Sequence, residues 1–458
     1  MPDTDTDTDT DRALDRAHHH ASEWLGSLKD RPVAASADAD AVADALGRHL
    51  PSGPMDAAEV VDLLAGACEP GLVAMPSGRF FGFVIGGSHP AALAADWLVS
   101  SWDQNAAMRQ VTPAVSGVEE VAAAWLVDLL GLPGGSAVGF CTGATTANLT
   151  GITAGRDELL RRAGWDVGRG LAGGPAGRVL AGRERHHSVE LALRYAGLPS
   201  PDLVDVDDQG RIRPEALAAA LDAAPPGPTL LLLQAGNLHS GAFDDFSACV
   251  PLARERGAWV HVDGAFGLWA GASSTYRHLT AGAELADSWA TDAHKTLNAP
   301  YDCGVVVVRD AAALNAAMGM QGDYLIQEEG DAFCKVPEMS RRARGVPVWA
   351  VLRALGRSGV EQLVDGLCAH AKGFAAAIEG LDGAEVVNDV VFTQVCATFG
   401  DDNRTRSVVA RMLEDGTAWT SGSVWRDRAV LRISVSNAAT TEEDVARTVA
   451  ALRRAASG

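Results

Sequence analysis

Four separated stretches carry residue types that could do chemistry together. Lys295 follows His294 in ADSWATDAHKTLNAPYDCG and stands just before the apolar run 303–308. A lysine held against another basic group and an apolar wall gives up its proton more readily and can form a Schiff base with a carbonyl. Asp263 closes an apolar run in HVDGAFG (261–267), where a strand-end carboxylate can pair with the protonated nitrogen of a flat ring and the small Ala265 lets that ring come close. In GFCTGATTANLTG (139–151), small and hydroxylated residues lead from a strand into a helix, so that free N–H groups, hydroxyls and the positive helix end make an anion site suited to phosphate. That stretch matches neither GxGxxG nor GxxxxGK[ST], which disfavours a dinucleotide or ATP. His186, in RHHSVELA, can stack on a planar group and move protons. Each stretch alone has a plainer reading: a strand-to-helix turn, a helix-capping Asp, a surface lysine, a structural histidine.

The elements that would position these residues follow from periodicity. Short apolar runs at 137–141, 178–181, 229–234, 259–262 and 305–308 alternate with helical patterns, which predicts a largely parallel sheet covered on both faces. The expected layout is an acidic, disordered tail (1–12), a helical N-terminal segment (13–84), a large α/β domain (85–310) and a small α+β domain (311–458). In the last, helices are expected at 348–355 and 360–378, strands at 385–398 and 429–435, and a helix at 441–456 capped by Thr440 or Thr441.

Composition excludes several classes. With 47% hydrophobic residues in 458, the chain is no disordered polymer, and its 49 glycines show no triplet period. A formal charge of -21, from 38 Lys+Arg against 59 Asp+Glu, argues against nucleic acid as a partner. Seven scattered cysteines without a CxxC spacing signal neither a disulfide framework nor a zinc site and fit a reducing cytoplasm. His18, His19 and His20 point roughly 100° apart on a helix and read as a solvated face, so no metal site is assigned. No stretch has the ~18 consecutive apolar residues of a membrane span, and the N-terminus lacks the pattern of a secretory signal.

Taken together, these stretches, with QAGNLHSGAFD and the C-terminal VLRISVSNAATTEEDV, resemble the fold-type-I (aspartate aminotransferase-like) pyridoxal-phosphate enzymes. More narrowly, residues from about 60 to the C-terminus resemble the group II amino-acid decarboxylases, the family of the aromatic-L-amino-acid, glutamate and diaminobutyrate decarboxylases. The resemblance implies pyridoxal 5'-phosphate as cofactor, an L-amino acid as substrate, an amine as product and a homodimer. It makes Lys295 the aldimine lysine and Asp263 the partner of the pyridine nitrogen. Ala265 would lie on one ring face, and His186 would stack on the other and help orient the substrate carboxylate. Gly143, Ala144 and Thr145, with His294 assisting, would hold the phosphate, and Asn237 would reach the region of the cofactor ring.

Two departures bear on outcome and specificity. The family's mobile loop presents a tyrosine that protonates the carbanion, but the comparable stretch 331–342 has Phe333 and no tyrosine; the chain's four are Tyr195, Tyr276, Tyr301 and Tyr324. Related aldehyde synthases lack that tyrosine and consume oxygen, so oxidative deamination is the alternative outcome, with Cys334, Lys335 or His187 as other proton sources. Further alternatives are another pyridoxal-phosphate lyase or transaminase reaction and a non-enzymatic pyridoxal-phosphate-binding protein. Arg109 stands where many relatives carry an aromatic residue; it would either favour an acidic substrate or pair with a surface Asp. Phe80, Phe81 and Phe83 are read as core before substrate pocket.

Overall fold

The computed structural model describes residues 6–223, 227–320 and 330–457, and Tyr324 lies outside them. Five helices come first: α1 (Thr6–Ser27), α2 (Ala39–Leu46), α3 (Ala57–Cys68), α4 (Pro90–Trp102) and α5 (Pro113–Leu129). Asp38 caps α2 by accepting from the Ala41 N–H, and Asp56 caps α3 by accepting from Ala58 and Glu59. The disordered tail expected over 1–12 is corrected from Thr6 onward, where α1 already runs, while residues 1–5 lie outside the described residues. Asp40 in the first turn of α2 and Glu59 in that of α3 suit the positive end of the helix dipole. Arg12 to Asp56 at 3.3 Å and Arg16 to Asp62 at 2.7 Å then fasten α1 to α3.

The central layer is a seven-stranded sheet of β1 (Ala137–Cys141), β2 (Arg178–Gly182), β3 (Asp202–Val204), β4 (Thr229–Gln234), β5 (Trp259–Asp263), β6 (Ser288–Asp292) and β7 (Gly304–Val308). Their order is β1-β7-β6-β5-β4-β2-β3, and β7 alone runs against its neighbours. The crossovers carry α6 (Ala144–Arg162), α7 (Ser188–Tyr195), α8 (Pro214–Asp222) and α9 (Phe246–Arg254), and α10 (Ala311–Met318) follows β7. β5, β6 and β7 are buried at every residue, which is why β7 reads as an unbroken apolar run and β5 as one interrupted only by His261 before its terminal Asp263. β6 does not read that way. Its Ser288 is buried because the hydroxyl accepts from the Trp259 indole N–H at 2.9 Å. β3 is a three-residue edge with Asp202 and Leu203 exposed, too short for a periodic signal.

The C-terminal part holds α11 (Gly345–Glu379), β8 (Ala384–Val386), β9 (Gln394–Phe399), α12 (Asp402–Asp415), β10 (Ser421–Trp425), β11 (Arg428–Ser434) and α13 (Glu442–Ser457). Its strands form an antiparallel sheet in the order β10-β11-β9-β8. The α11 backbone breaks at Gly356 (φ 61°, ψ -178°), between the two helices expected from sequence. Its first part packs on α4 and α5 and its later part reaches α13 and β8. α13 opens on a reciprocal cap: Thr441 Oγ1 accepts from the Asp444 N–H, and Asp444 Oδ2 accepts from the Thr441 N–H at 3.0 Å. Phe81 bonds to Trp419 and Ser434 through its backbone, so the end of the N-terminal segment is tied to the C-terminal layer.

Candidate active site

β1 ends at Cys141 and α6 begins at Ala144, with Gly143 between them in extended backbone and no side-chain cap on the helix. The first amides of α6 therefore face an anion site. Thr142 and Thr146 share a 2.9 Å hydroxyl contact across this turn. Gly304 lets β7 nest directly beneath it: a Cβ there would sit 2.4 Å from the Gly143 carbonyl carbon. The Ala144 N–H donates to Asp292 Oδ1 at 2.6 Å.

Asp292 ends β6 and Lys295 follows on the adjoining turn, its Nζ 3.0 Å from Asp292 Oδ2. His294 Nδ1 accepts from the Cys303 N–H at 3.1 Å, which places the ring proton on Nε2, 3.6 Å from Asp292 Oδ2. Burial pushes the His294 pKa down, against the pull of Asp292. The ring stacks on Tyr301 with centroids 4.3 Å apart. On the neighbouring strand end, burial raises the pKa of the Asp263 carboxyl while His186 and Lys295 pull it down. Among the described residues its Oδ1 accepts one hydrogen bond, from the Ala265 N–H at 3.2 Å. His186 Nδ1 accepts from the Ser188 N–H at 3.2 Å, and protein mass around the cleft lowers its pKa although one face stays open to solvent.

These groups line one cleft of about 600 Å³, at the carboxyl ends of β1, β5 and β6, where open α/β sheets bind ligands. Gly143, Ala144, Thr145, His186, Asp263, Ala265, His294 and Lys295 all contribute to its wall. Residues 46–399 match the pyridoxal-dependent decarboxylase conserved domain.

The chain belongs to the pyridoxal-dependent decarboxylase family.

It is 29% identical to tryptophan decarboxylase 1 of rice (Oryza sativa subsp. japonica), over 94% of this chain and 90% of that protein. It is 30% identical to the cysteine sulfinic acid decarboxylase of mouse (Mus musculus), over 70% of this chain and 67% of that one. The structure of the Oryza sativa tryptophan decarboxylase with pyridoxal phosphate and tryptamine superposes with a TM-score of 0.91 at 25% identity, covering 100% of this chain and 99% of that one. The protein is thus a carboxy-lyase of fold type I with pyridoxal phosphate as its cofactor.

The cleft of this decarboxylase fits that cofactor in three respects. The α6 amides that follow Ala144 have no side-chain cap and meet the need of a phosphate, an amine stands where a carbonyl would be captured, and a buried carboxyl with a raised pKa stands where a protonated ring nitrogen would supply it a cationic partner.

Several expectations are corrected. Asn237 does not line the cleft, although Gly236 and Leu238 do. Its amide is consumed by its own turn, accepting from the His239 and Ser240 N–H groups and donating to the Glu184 carbonyl at 3.1 Å. Arg109 lies outside the cleft and pairs with Glu120 at 2.6 Å. Cys334, Lys335 and His187 do not line it either. Phe80 and Phe81 are core, but Phe83 is 57% exposed and faces the cleft.

Sequence reasoning missed Asp292, Tyr301 and Arg432. Asp292 and Tyr301 lie within the stretch that announces Lys295, so an acid three positions before that lysine was the available signal. Arg432 arrives from β11, buried, with Nη2 donating to the Phe83 carbonyl at 3.2 Å and Nε without a hydrogen-bond partner among the described residues.

Proposed function

We propose that this decarboxylase removes the α-carboxyl group of an L-amino acid and releases the amine. The observation that carries the reading is the meeting of Lys295, Asp263 and the uncapped start of α6 in one cleft. Lys295 would hold the cofactor through its carbonyl carbon, Asp263 through the ring nitrogen, and Ala144 and Thr145 through the phosphate. When bound, pyridoxal phosphate supplies an electron sink for the pair left on the α-carbon as carbon dioxide departs. Asp263 keeps a proton on the ring nitrogen by remaining a buried carboxylate beside it. His186 and Ala265 would flank the ring, and His186, whose Nδ1 accepts from the Ser188 N–H, would hold its transferable proton at Nε2. Arg432, charged and buried in the cleft wall, offers the substrate carboxylate a partner that fixes its orientation.

The absence of a tyrosine from 331–342, with Phe333 buried, favours a second outcome, oxidative deamination, in which one dioxygen is reduced to hydrogen peroxide and, with one water consumed, carbon dioxide, ammonia and an aldehyde are released. An amino-acid panel assayed together for carbon dioxide, amine, aldehyde and oxygen uptake decides between them. Stoichiometric amine without oxygen uptake is expected; oxygen consumption matched by aldehyde would replace the first reading with the second. Lys295→Ala should lose turnover and the long-wavelength absorbance that borohydride quenches.

The working unit is proposed to be a homodimer. Leu63, Leu64, Trp97, Leu98 and Trp102 on α3 and α4 are each at least 41% exposed, an apolar surface that a second copy would cover. Light scattering of the purified protein checks this. A cytoplasmic location is supported by seven free thiols. No described helix is long and apolar enough to cross a membrane.

A further inference from the structure

We propose that Asp292 shares a proton with the cofactor phosphate, so that phosphate binding at the start of α6 takes up one proton. The inference rests on pyridoxal phosphate being the cofactor and on three features of the cleft. First, the Asp292 carboxylate already occupies the place of an anion: Oδ1 accepts from the Ala144 N–H, the opening amide of the helix, at 2.6 Å. Second, it cannot retreat into water, since its side chain is 3% exposed and Oδ1 lies 3.6 Å from the Cβ position of Gly143, inside the turn.

Third, little around it offsets a second anion. Lys295 Nζ, at 3.0 Å, is the cation that pairs with it, and that same nitrogen is claimed by the cofactor. His294 presents Nε2 from 3.6 Å with a pKa lowered by burial, so it is neutral near pH 7. From β1 and the start of β7, the Cys141 and Cys303 thiols are held protonated by burial. The Tyr301 phenol stays protonated too, its pKa pushed up to about 12. Asp263, across on β5, adds another acid.

A phosphate dianion and a carboxylate competing for one buried amide repel each other strongly. A single proton placed between them turns the repulsion into a charge-assisted hydrogen bond. Apart from the carbon–nitrogen bond that Lys295 would form with the carbonyl of either ligand, with loss of water, the phosphate adds only that proton transfer from solvent. Binding that takes up a proton weakens as pH rises, by about tenfold per pH unit where the uptake is complete.

The test compares pyridoxal phosphate with pyridoxal, which lacks the phosphate, as ligands of the cofactor-free protein between pH 6.5 and 9 by equilibrium dialysis. Taking the ratio of the two affinities cancels whatever accompanies carbonyl capture by Lys295, a step that both ligands share. In the wild type the ratio should fall by up to about tenfold per pH unit above the phosphate's own second pKa of about 6. Asp292→Asn, which removes the charge, should flatten the ratio and tighten pyridoxal phosphate at least tenfold at pH 8. Asp292→Ser, with unfolding temperature as the folding control, should flatten it as well. A pH-independent ratio in the wild type overturns the proposal without any variant, and so does an Asp292→Asn protein that keeps the slope or binds pyridoxal phosphate more weakly. Failure of the wild type to bind pyridoxal phosphate at all would instead sink the cofactor assignment.

Discussion

His261 Nε2 on β5 donates to Asn148 Oδ1 on α6 at 2.8 Å, and its Nδ1 contacts Ser288 Oγ on β6 at the same distance. The helix whose first turn faces the phosphate site is thereby tied to the strand that presents Asp263 and to the strand that leads to Lys295. Gly151 makes room for this bond, because a Cβ there would come within 2.7 Å of the imidazole.

The buried imidazole makes stability pH-dependent. Burial drives the His261 pKa from 6.5 to about 3. Below pH 6.5 the unfolded chain binds a proton that the folded one refuses, so stability is lost as pH falls from about 6.5 toward 3. The loss approaches ~1.4 kcal/mol per pH unit in that window. His261→Gln should be less stable at pH 7 by ~1–3 kcal/mol and show a shallower acid slope than the wild type. Urea midpoints at pH 7, 5.5 and 4.5 for both proteins check this; parallel slopes would refute it.

Gly304→Ala tests the seat of the phosphate turn. The added methyl would collide with the Gly143 backbone, which cannot swing aside as a side-chain tip could. We expect a stability loss of ~1–3 kcal/mol together with weakened pyridoxal phosphate binding. An unchanged melting temperature and an unchanged cofactor titration would show that the turn has slack.

Asp263→Asn should separate stability from activity. Burial raises the carboxyl pKa in the folded protein, so ionisation costs the cofactor-free fold stability as pH rises through the shifted pKa. At pH 7 the cofactor-free variant should therefore unfold at an equal or higher temperature than the wild type. Its kcat should still fall ~10²–10³-fold, because the ring nitrogen loses its charged partner. A variant with both quantities lowered would point to a structural role instead.

Arg432→Lys should raise KM at least ~10-fold with a smaller change in kcat. Lysine keeps the charge but loses the planar fork that grips a carboxylate. Steady-state kinetics on the best amino acid of the panel give the split, and an unaltered KM would remove Arg432 from substrate binding.

Much of this architecture was legible in the chain itself. The strand runs at 137–141, 229–234 and 305–308, the helix break at Gly356, and the Lys295, Asp263 and His186 set follow from short-range chemistry: periodicity, backbone freedom and residue type at a strand end. The membership of the cleft was legible only in part. Asn237 shows why, since a turn asparagine can serve a ligand or its own loop, and the choice depends on whether the His239 and Ser240 amides close back on it.

Tertiary structure alone decided the remainder. Arg432 belongs to a strand whose successive side chains alternate between faces, so its entry into the cleft is set by the register that pairs it with Cys396 on β9 and Ser421 on β10. Asp292 sits three residues before Lys295 and pairs with it, but its second partner, the Ala144 N–H, is brought to it by the order β1-β7-β6 and by the missing Cβ of Gly304. Sequence names the groups able to react. Packing determines which carboxylate meets which amide, because distance and burial set the energy of a charge, and neither is written in the chain.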